Sequence, residues 1–228
     1  MKKWTFCSWH RGAKWFKPTP LTPSLFVRTG EVCLRLPQLS DGSDIVAARL
    51  RSRKEIEAWE PDIGAKDPWE EDSSYRQWKD HYRWLWYSYR RGYLVPFIIL
   101  LNDDPVGQLV LTKIEHGPIN CATLGYWVDS AVAGNGVATA AAALAVDYGW
   151  NHLDLHRIQA TVHPDNDVSK AVLRKLGMRY EGLMRGYFKI KGKYVEHELW
   201  ALLVDDFPAG AVHRIVNAGK ASHWADRF

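Results

Sequence analysis

At 228 residues, 46% of them hydrophobic, the chain is long enough for one domain with a sizeable core, and it has no apolar run of the length that spans a bilayer. Its net charge of +4 is unevenly placed: residues 1–30 hold Lys2, Lys3, Arg11, Lys14, Lys17 and Arg28 with no acid, which is +6, and the remainder carries −2. Cys7, Cys33 and Cys121 are odd in number, widely spaced and free of any Cys-x-x-Cys pair, so reduced packing thiols are expected rather than disulfides or a metal site.

The first residues, Met1-Lys2-Lys3, resemble the opening of a secretory signal. The stretch that follows, residues 4–11, is too polar and too soon charged to be its hydrophobic region, so a cytoplasmic protein is expected. A short basic, aromatic arm of this kind can dock on RNA or an acidic partner through stacking and phosphate contacts; a solvated or self-packed extension is the plainer reading. Residues 32–36 alternate like a first strand. Residues 43–59 read as a helix that Pro61 ends, and residues 62–71 read as a loop. Tyr75, Trp78, Tyr82, Leu85 and Tyr89 recur at spacings of three and four, predicting one aromatic stripe on a helix over residues 72–91, which is core first and substrate wall second.

Two strands, 95–101 and 106–112, bracket the turn Asn102-Asp103-Asp104-Pro105. Residues 123–128 supply a fourth strand. After it comes Val132-Ala133-Gly134-Asn135-Gly136-Val137-Ala138, then an alanine-rich helix to Trp150, a fifth strand at 156–162, and a short helix ending at Leu176-Gly177-Met178. Residues 187–190 and 194–203 form a closing hairpin. A strand, a glycine turn and a helix aim free backbone N–H groups at a phosphate, because glycines let the main chain curl and the first helical turn adds unpaired donors and partial positive charge. This turn is not a P-loop, since no Gly-Lys-Ser/Thr follows. Nor is it a dinucleotide fingerprint, which needs a third glycine and an acid further on.

The order of these elements resembles the GNAT family of acetyl-CoA-dependent N-acetyltransferases. Residues 133–138 match that family's coenzyme loop, with Ala133 where a glutamine or arginine is usual, leaving the backbone donors to hold the pyrophosphate. Trp59-Glu60-Pro61, Leu155-His156-Arg157-Ile158, Asn166-x-x-Ser169, Leu176-Gly177-Met178-x-x-Glu181-Gly182 and Gly192-x-Tyr194 are similar to the RimJ/RimL group, whose members acetylate ribosomal-protein N-termini. The likeness spans residues 31–207, leaving a basic extension (1–30) and a C-terminal tail (208–228).

The resemblance implies a mixed α/β fold: a twisted, mostly antiparallel sheet of about seven strands, splayed between strands four and five and flanked by about four helices. Acetyl-CoA would be the co-substrate, held by the strand-four backbone at Tyr126, Trp127 and Val128 and by the turn at Gly134, Asn135, Gly136, Val137 and Ala138. Asn166 would bind pantetheine amides, with helix N-capping as its plain role. Ser169 would donate to the departing thiolate, since the tyrosine that many relatives carry for this is replaced by Leu173. A glutamate of RimL-like enzymes is replaced by Tyr187, so Glu60, on the loop expected to roof the groove, and Glu115, past the third strand, are the carboxylate candidates for base. Either is equally well a solvated acid. The implied acceptor is a protein or peptide N-terminus, such as that of a ribosomal protein; a small amine (polyamine, amino sugar or antibiotic) and a non-catalytic acyl-CoA-binding module on the ribosome or RNA are the alternatives. A monomer or dimer with no membrane partner is expected. His152 with His156, and Glu196-His197-Glu198, have the wrong geometry for a metal.

Overall fold

The computed structural model describes residues 21–62 and 74–223. The eight strands are β1 (Leu25–Val27), β2 (Gly30–Arg35), β3 (Leu94–Leu101), β4 (Asp104–Glu115), β5 (Cys121–Val128), β6 (Arg157–Val162), β7 (Arg179–Ile190) and β8 (Lys193–Leu203). Six helices accompany them: α1 (Gly42–Arg51), α2 (Arg53–Glu57), α3 (Ser74–Arg90), α4 (Val137–Leu153), α5 (Asp167–Leu176) and α6 (Ala211–Asn217). All strands lie in one sheet in the order β1-β2-β3-β4-β5-β6-β8-β7. Every pairing is antiparallel except β5 with β6, which α4 connects, as a parallel pair requires.

Side-chain alternation sorts the core into two layers. On β3, Val95, Phe97, Ile99 and Leu101 join the larger cluster with α4, α5 and α6. Ile98 and Leu100 point the other way and pack with Cys33, Ile45, Val46 and Trp78 against α1 and α3. Ala140 to Ala143 and Ala145 on α4 are all buried; side chains this small let helix and sheet approach closely. The aromatic stripe expected on α3 is core only in part: Trp78 and Leu85 are buried, Tyr82 and Tyr89 are partly buried, and Tyr75, at the first turn, is exposed; Trp78 Nε1 donates to the Leu39 carbonyl at 3.0 Å.

The helix expected over 43–59 is two helices. Ser52 interrupts it because its buried hydroxyl is taken by the turn after β5, where the Ser130 N–H donates to Ser52 Oγ at 2.7 Å. Arg51 adds an ion pair with Asp129 at 2.5 Å, so this junction is tied to the chain entering the glycine turn. The strand β7 begins at Arg179, eight residues before the expected start, with register shifts at Tyr180/Gly182 and Met184/Phe188. Both ends of the described chain join the fold. Phe26 on β1 exchanges backbone hydrogen bonds with Ser222, both 2.9 Å, and Asp147 on α4 accepts the Ala211 and Val212 N–H groups that begin α6. The expected loop at 63–71, the start of α3 at Asp72 and the basic arm through residue 20 lie outside the described residues.

Candidate active site

β5 is hydrogen-bonded to β4 from Gly107↔Val128 to Glu115↔Cys121, but its pairing with β6 stops at Thr123↔Gln159. From residue 124 to 128 the β6-facing edge of β5 has no strand partner among the described residues, and its N–H and C=O groups are placed to pair with an extended ligand. Alternation sends Tyr126 and Val128 toward the α4 layer and Trp127 toward α1. The Tyr126 hydroxyl donates to the Ser169 carbonyl at 3.5 Å, and burial pushes its pKa up to about 12. Trp127 Nε1 donates to Gln108 Oε1 at 3.3 Å, with the Arg49 guanidinium 5.6 Å over its ring.

Beyond β5 the chain makes the glycine turn. Gly134 and Gly136 have φ of +78° and +89°, conformations that glycine adopts without Cβ strain. Gly136 caps α4 with no side chain, leaving the N–H groups of Val137, Ala138 and Thr139 without intrahelical partners. Asn135 bridges the turn, its Nδ2 donating to the carbonyls of Val132 and Ala133 at 3.3 Å each. A cavity of about 450 Å³ opens beside it; Arg28, Lys175 and Lys220 line it with Gly134, Gly136 and Thr139, and among the described residues no carboxylate does. Backbone donors with three cations around them suit a ligand with several phosphates.

Across the opening, past the C-terminal end of the parallel strand β6, Asn166 caps α5: its Oδ1 accepts the Ser169 N–H at 3.0 Å. Ser169 is half-buried on the first turn, and Leu173, one turn on, is in the core. Tyr126, Asn166 and Ser169 are therefore brought together. Tyr187 lies on β7, where its hydroxyl accepts from Lys113 Nζ at 3.3 Å. Glu60 is engaged by the buried Arg49, with Arg49 Nη2 donating to its Oε1 at 2.5 Å. The loop carrying it is held at its far side by Asp62, whose two carboxylate oxygens accept the Lys191 and Gly192 N–H groups of the β7–β8 turn, both at 2.8 Å. Glu115 is not brought to this group: it sits at the Cys121 end of β4, opposite the end where Gly107 meets Val128.

Two histidines that carry no motif also lie here. His163 follows β6 directly and packs at 5.1 Å, tilted by 44°, against Trp59 of the Glu60 loop. His197 on β8 is 5.8 Å from His163, 5.0 Å from Phe188 and 6.0 Å from Tyr187, ring to ring. Burial, then the His163 charge opposed by a Val195 backbone bond, holds the His197 pKa below the usual imidazole range. Their one sequence signal is that His197 shares a strand face with Leu199 and Ala201, a polar residue in a core register. On the Trp127 side, His81 is hydrogen-bonding distance (3.5 Å) from Gln108, and burial, reinforced by Arg49, lowers its pKa to about 4.

Comparison with known proteins agrees with this geometry. Residues 31–179 match the acetyltransferase (GNAT) domain. The chain is similar to the probable N-acetyltransferase YjcK of Bacillus subtilis (strain 168), at 40% identity over 105 residues, 46% of this chain and 58% of that protein; the match thus spans less than two thirds of YjcK. Similarity to the [ribosomal protein uS5]-alanine N-acetyltransferase of Escherichia coli (strain K12) is lower but longer, 25% over 191 residues, covering 82% of this chain and 95% of that one. Among solved structures, Mycobacterium smegmatis RimJ in complex with CoA-disulfide superposes with a TM-score of 0.85 at 37% identity, covering 89% of this chain and 96% of that one.

Proposed function

Because this chain belongs to the GNAT acetyltransferase family, we propose that it transfers acetyl from acetyl-CoA to the N-terminal α-amino group of a protein, by direct attack within a ternary complex. The observation that carries this reading is the pairing of β5 with β6 that ends at Thr123, which leaves an open strand edge that leads to a phosphate-type turn and has Ser169 beside Tyr126. Acetyl-CoA supplies the activated acetyl group. The turn at residues 134–138 holds its pyrophosphate through backbone donors, and Arg28, Lys175 and Lys220 hold the nucleotide end in the adjoining cavity. Residues 126–128 pair with the pantetheine arm, and their N–H groups polarise the acyl oxygen in a site preorganised for the developing oxyanion. The Asn166 amide, whose oxygen already caps α5, offers its NH₂ to the same arm. As the amine nitrogen bonds to the acyl carbon and the C–S bond breaks, the Ser169 hydroxyl donates to the departing thiolate.

A protein acceptor is favoured by the named activity of the E. coli relative aligned over 82% of this chain. Ribosomal proteins are the class to try first. The test is acetyl-CoA turnover by the full chain against peptides with free N-termini, spermidine and aminoglycosides. A preference for peptides is expected; far better acetylation of a polyamine overturns the acceptor assignment, and no turnover with any amine overturns the enzyme assignment.

A further inference from the structure

We propose that His163 is the group that takes the proton from the acceptor amine, in the place where the resemblance expects a carboxylate and the chain supplies Tyr187. This rests on the acetyltransferase reading above. Direct attack requires a neutral amine, and the carboxylates near the cleft are committed: Glu60 to Arg49, and Asp62 to the β7–β8 turn. Glu115 lies at the far end of β4. His163 is placed differently. It is the first residue after β6, three before the α5 cap Asn166, and its ring packs on Trp59, so it joins the Glu60 loop to the segment that carries Asn166 and Ser169. Its side chain is 21% exposed, enough for contact with an incoming ligand or one water.

The groups around it suit a reversible proton acceptor. His163 Nδ1 accepts the Asp165 N–H at 3.2 Å, and an Asp165 carboxylate oxygen lies 3.9 Å from the same nitrogen. On taking a proton at Nδ1 the ring gives up the amide and gains a carboxylate counter-ion. Behind it, His197 is 3% exposed and its Nδ1 has no partner among the described residues. Burial disfavours charge on that ring, so it packs behind His163 as a poorer competitor for the proton. The other charged groups nearby are Lys113, bonded to Tyr187 on the far side of His197, and Lys170 of α5, which donates to the Pro164 carbonyl and faces Asp167 and Glu198. In the step itself the ammonium loses H⁺ to His163, the freed lone pair forms the C–N bond, thiolate leaves, and the imidazolium returns its proton to solvent. Imidazole is the side chain whose ordinary titration lies at neutrality, and it suits an α-amine better than a phenol does.

The experiment is the pH dependence of kcat/KM from pH 6 to 9 on the best peptide acceptor, for the wild type, His163→Gln and His163→Ala, with acetyl-CoA affinity measured by calorimetry. His163→Gln should lower kcat/KM by about ten- to a hundredfold at pH 7, as for one lost general base. The deficit should shrink toward pH 9, where the amine, with a pKa of about 8, is already neutral. Acetyl-CoA affinity should be unchanged, and free imidazole should restore part of the His163→Ala activity. A deficit equal at every pH, or none, overturns the assignment of His163 while the wild-type turnover leaves the acetyltransferase reading standing. A wild type that acetylates no amine overturns both.

Discussion

The two ends of the cleft are built by different physics. The coenzyme end is made of backbone: a strand edge at residues 124–128 with no strand partner among the described residues, two glycines in the left-handed region, and the uncapped first turn of α4. The acceptor end is made of side chains from elements far apart in sequence, namely Trp59, Lys113, His163, Tyr187, Phe188 and His197. Backbone donors bind the same phosphates and amides whatever residues carry them, so that end can lose the usual Gln or Arg at Ala133 and still be complete. The acceptor end has no such tolerance, because every contact there is a particular side chain. Substrate choice should therefore be sensitive to single substitutions at one end, and coenzyme binding at the other chiefly to changes that disturb the main chain or remove Arg28, Lys175 or Lys220.

The largest expected effect breaks the backbone end. Gly136→Glu places a carboxylate beside the phosphate turn at a φ of +89°, with Val27 Cγ1 only 3.6 Å from the new Cβ. It should abolish CoA binding while circular dichroism shows the fold retained; unchanged affinity by calorimetry would remove the turn from the site. Next is Ser169→Ala, which leaves the main-chain contacts in place and should slow turnover by about ten- to a hundredfold with CoA affinity intact. Asp62→Ala removes two hydrogen bonds to a charged acceptor from the β7–β8 turn. At about 1–2 kcal/mol in total, it should cost roughly ten-fold in kcat/KM for peptides, nearly all in KM, with no change for acetyl-CoA.

The pH dependence of stability sharpens the contrast from another side. His81 has its pKa lowered to about 4, by burial first and the Arg49 charge second, and His197 is lowered in the same direction. Below the ordinary imidazole value the unfolded chain binds protons that the folded chain refuses, so stability is full above about pH 6.5 and is lost as pH falls toward 4. Urea melts of the wild type and His81→Gln should show the variant losing less between those limits, by about 1–2 kcal/mol. The smallest effect should come from deleting residues 1–20, which ought to leave short-peptide acetylation unchanged. The cut must stop there, because the Leu21 N–H donates to the Leu34 carbonyl and Thr22 Oγ accepts the Leu34 N–H; a cut at residue 25 should destabilise the edge of the sheet.

How much was legible beforehand divides along the same line. The strand, glycine turn, helix, strand and capped helix from Cys121 to Leu176 are contiguous, and each is specified by local chemistry: an apolar run for β5, alternation for β6, glycine for the turn, alanine for close packing, Asn166 for the α5 cap. The splay was expected from the family likeness of that same stretch. Less legible were β1 and α6, which are short and depend on partners about 65 to 200 residues away, Ser222 for Phe26 and Asp147 for the start of α6. The break at Ser52 was hidden for the same reason, since the group that captures its hydroxyl follows β5.

The chain's own sequence thus determined the elements and the order in which they come, because helix and strand periodicity, glycine turns and caps act over a few residues. It also determined that a phosphate-type turn stands at the end of an apolar strand. Only the tertiary structure decided the surroundings of each candidate acid or base. Glu60 faces Arg49, Glu115 is at the Cys121 end of its strand, and His163 and His197 pack edge to face between the Glu60 loop and β7, because a side chain's protonation and partners depend on burial and charge supplied by strands and loops that meet only when the sheet closes.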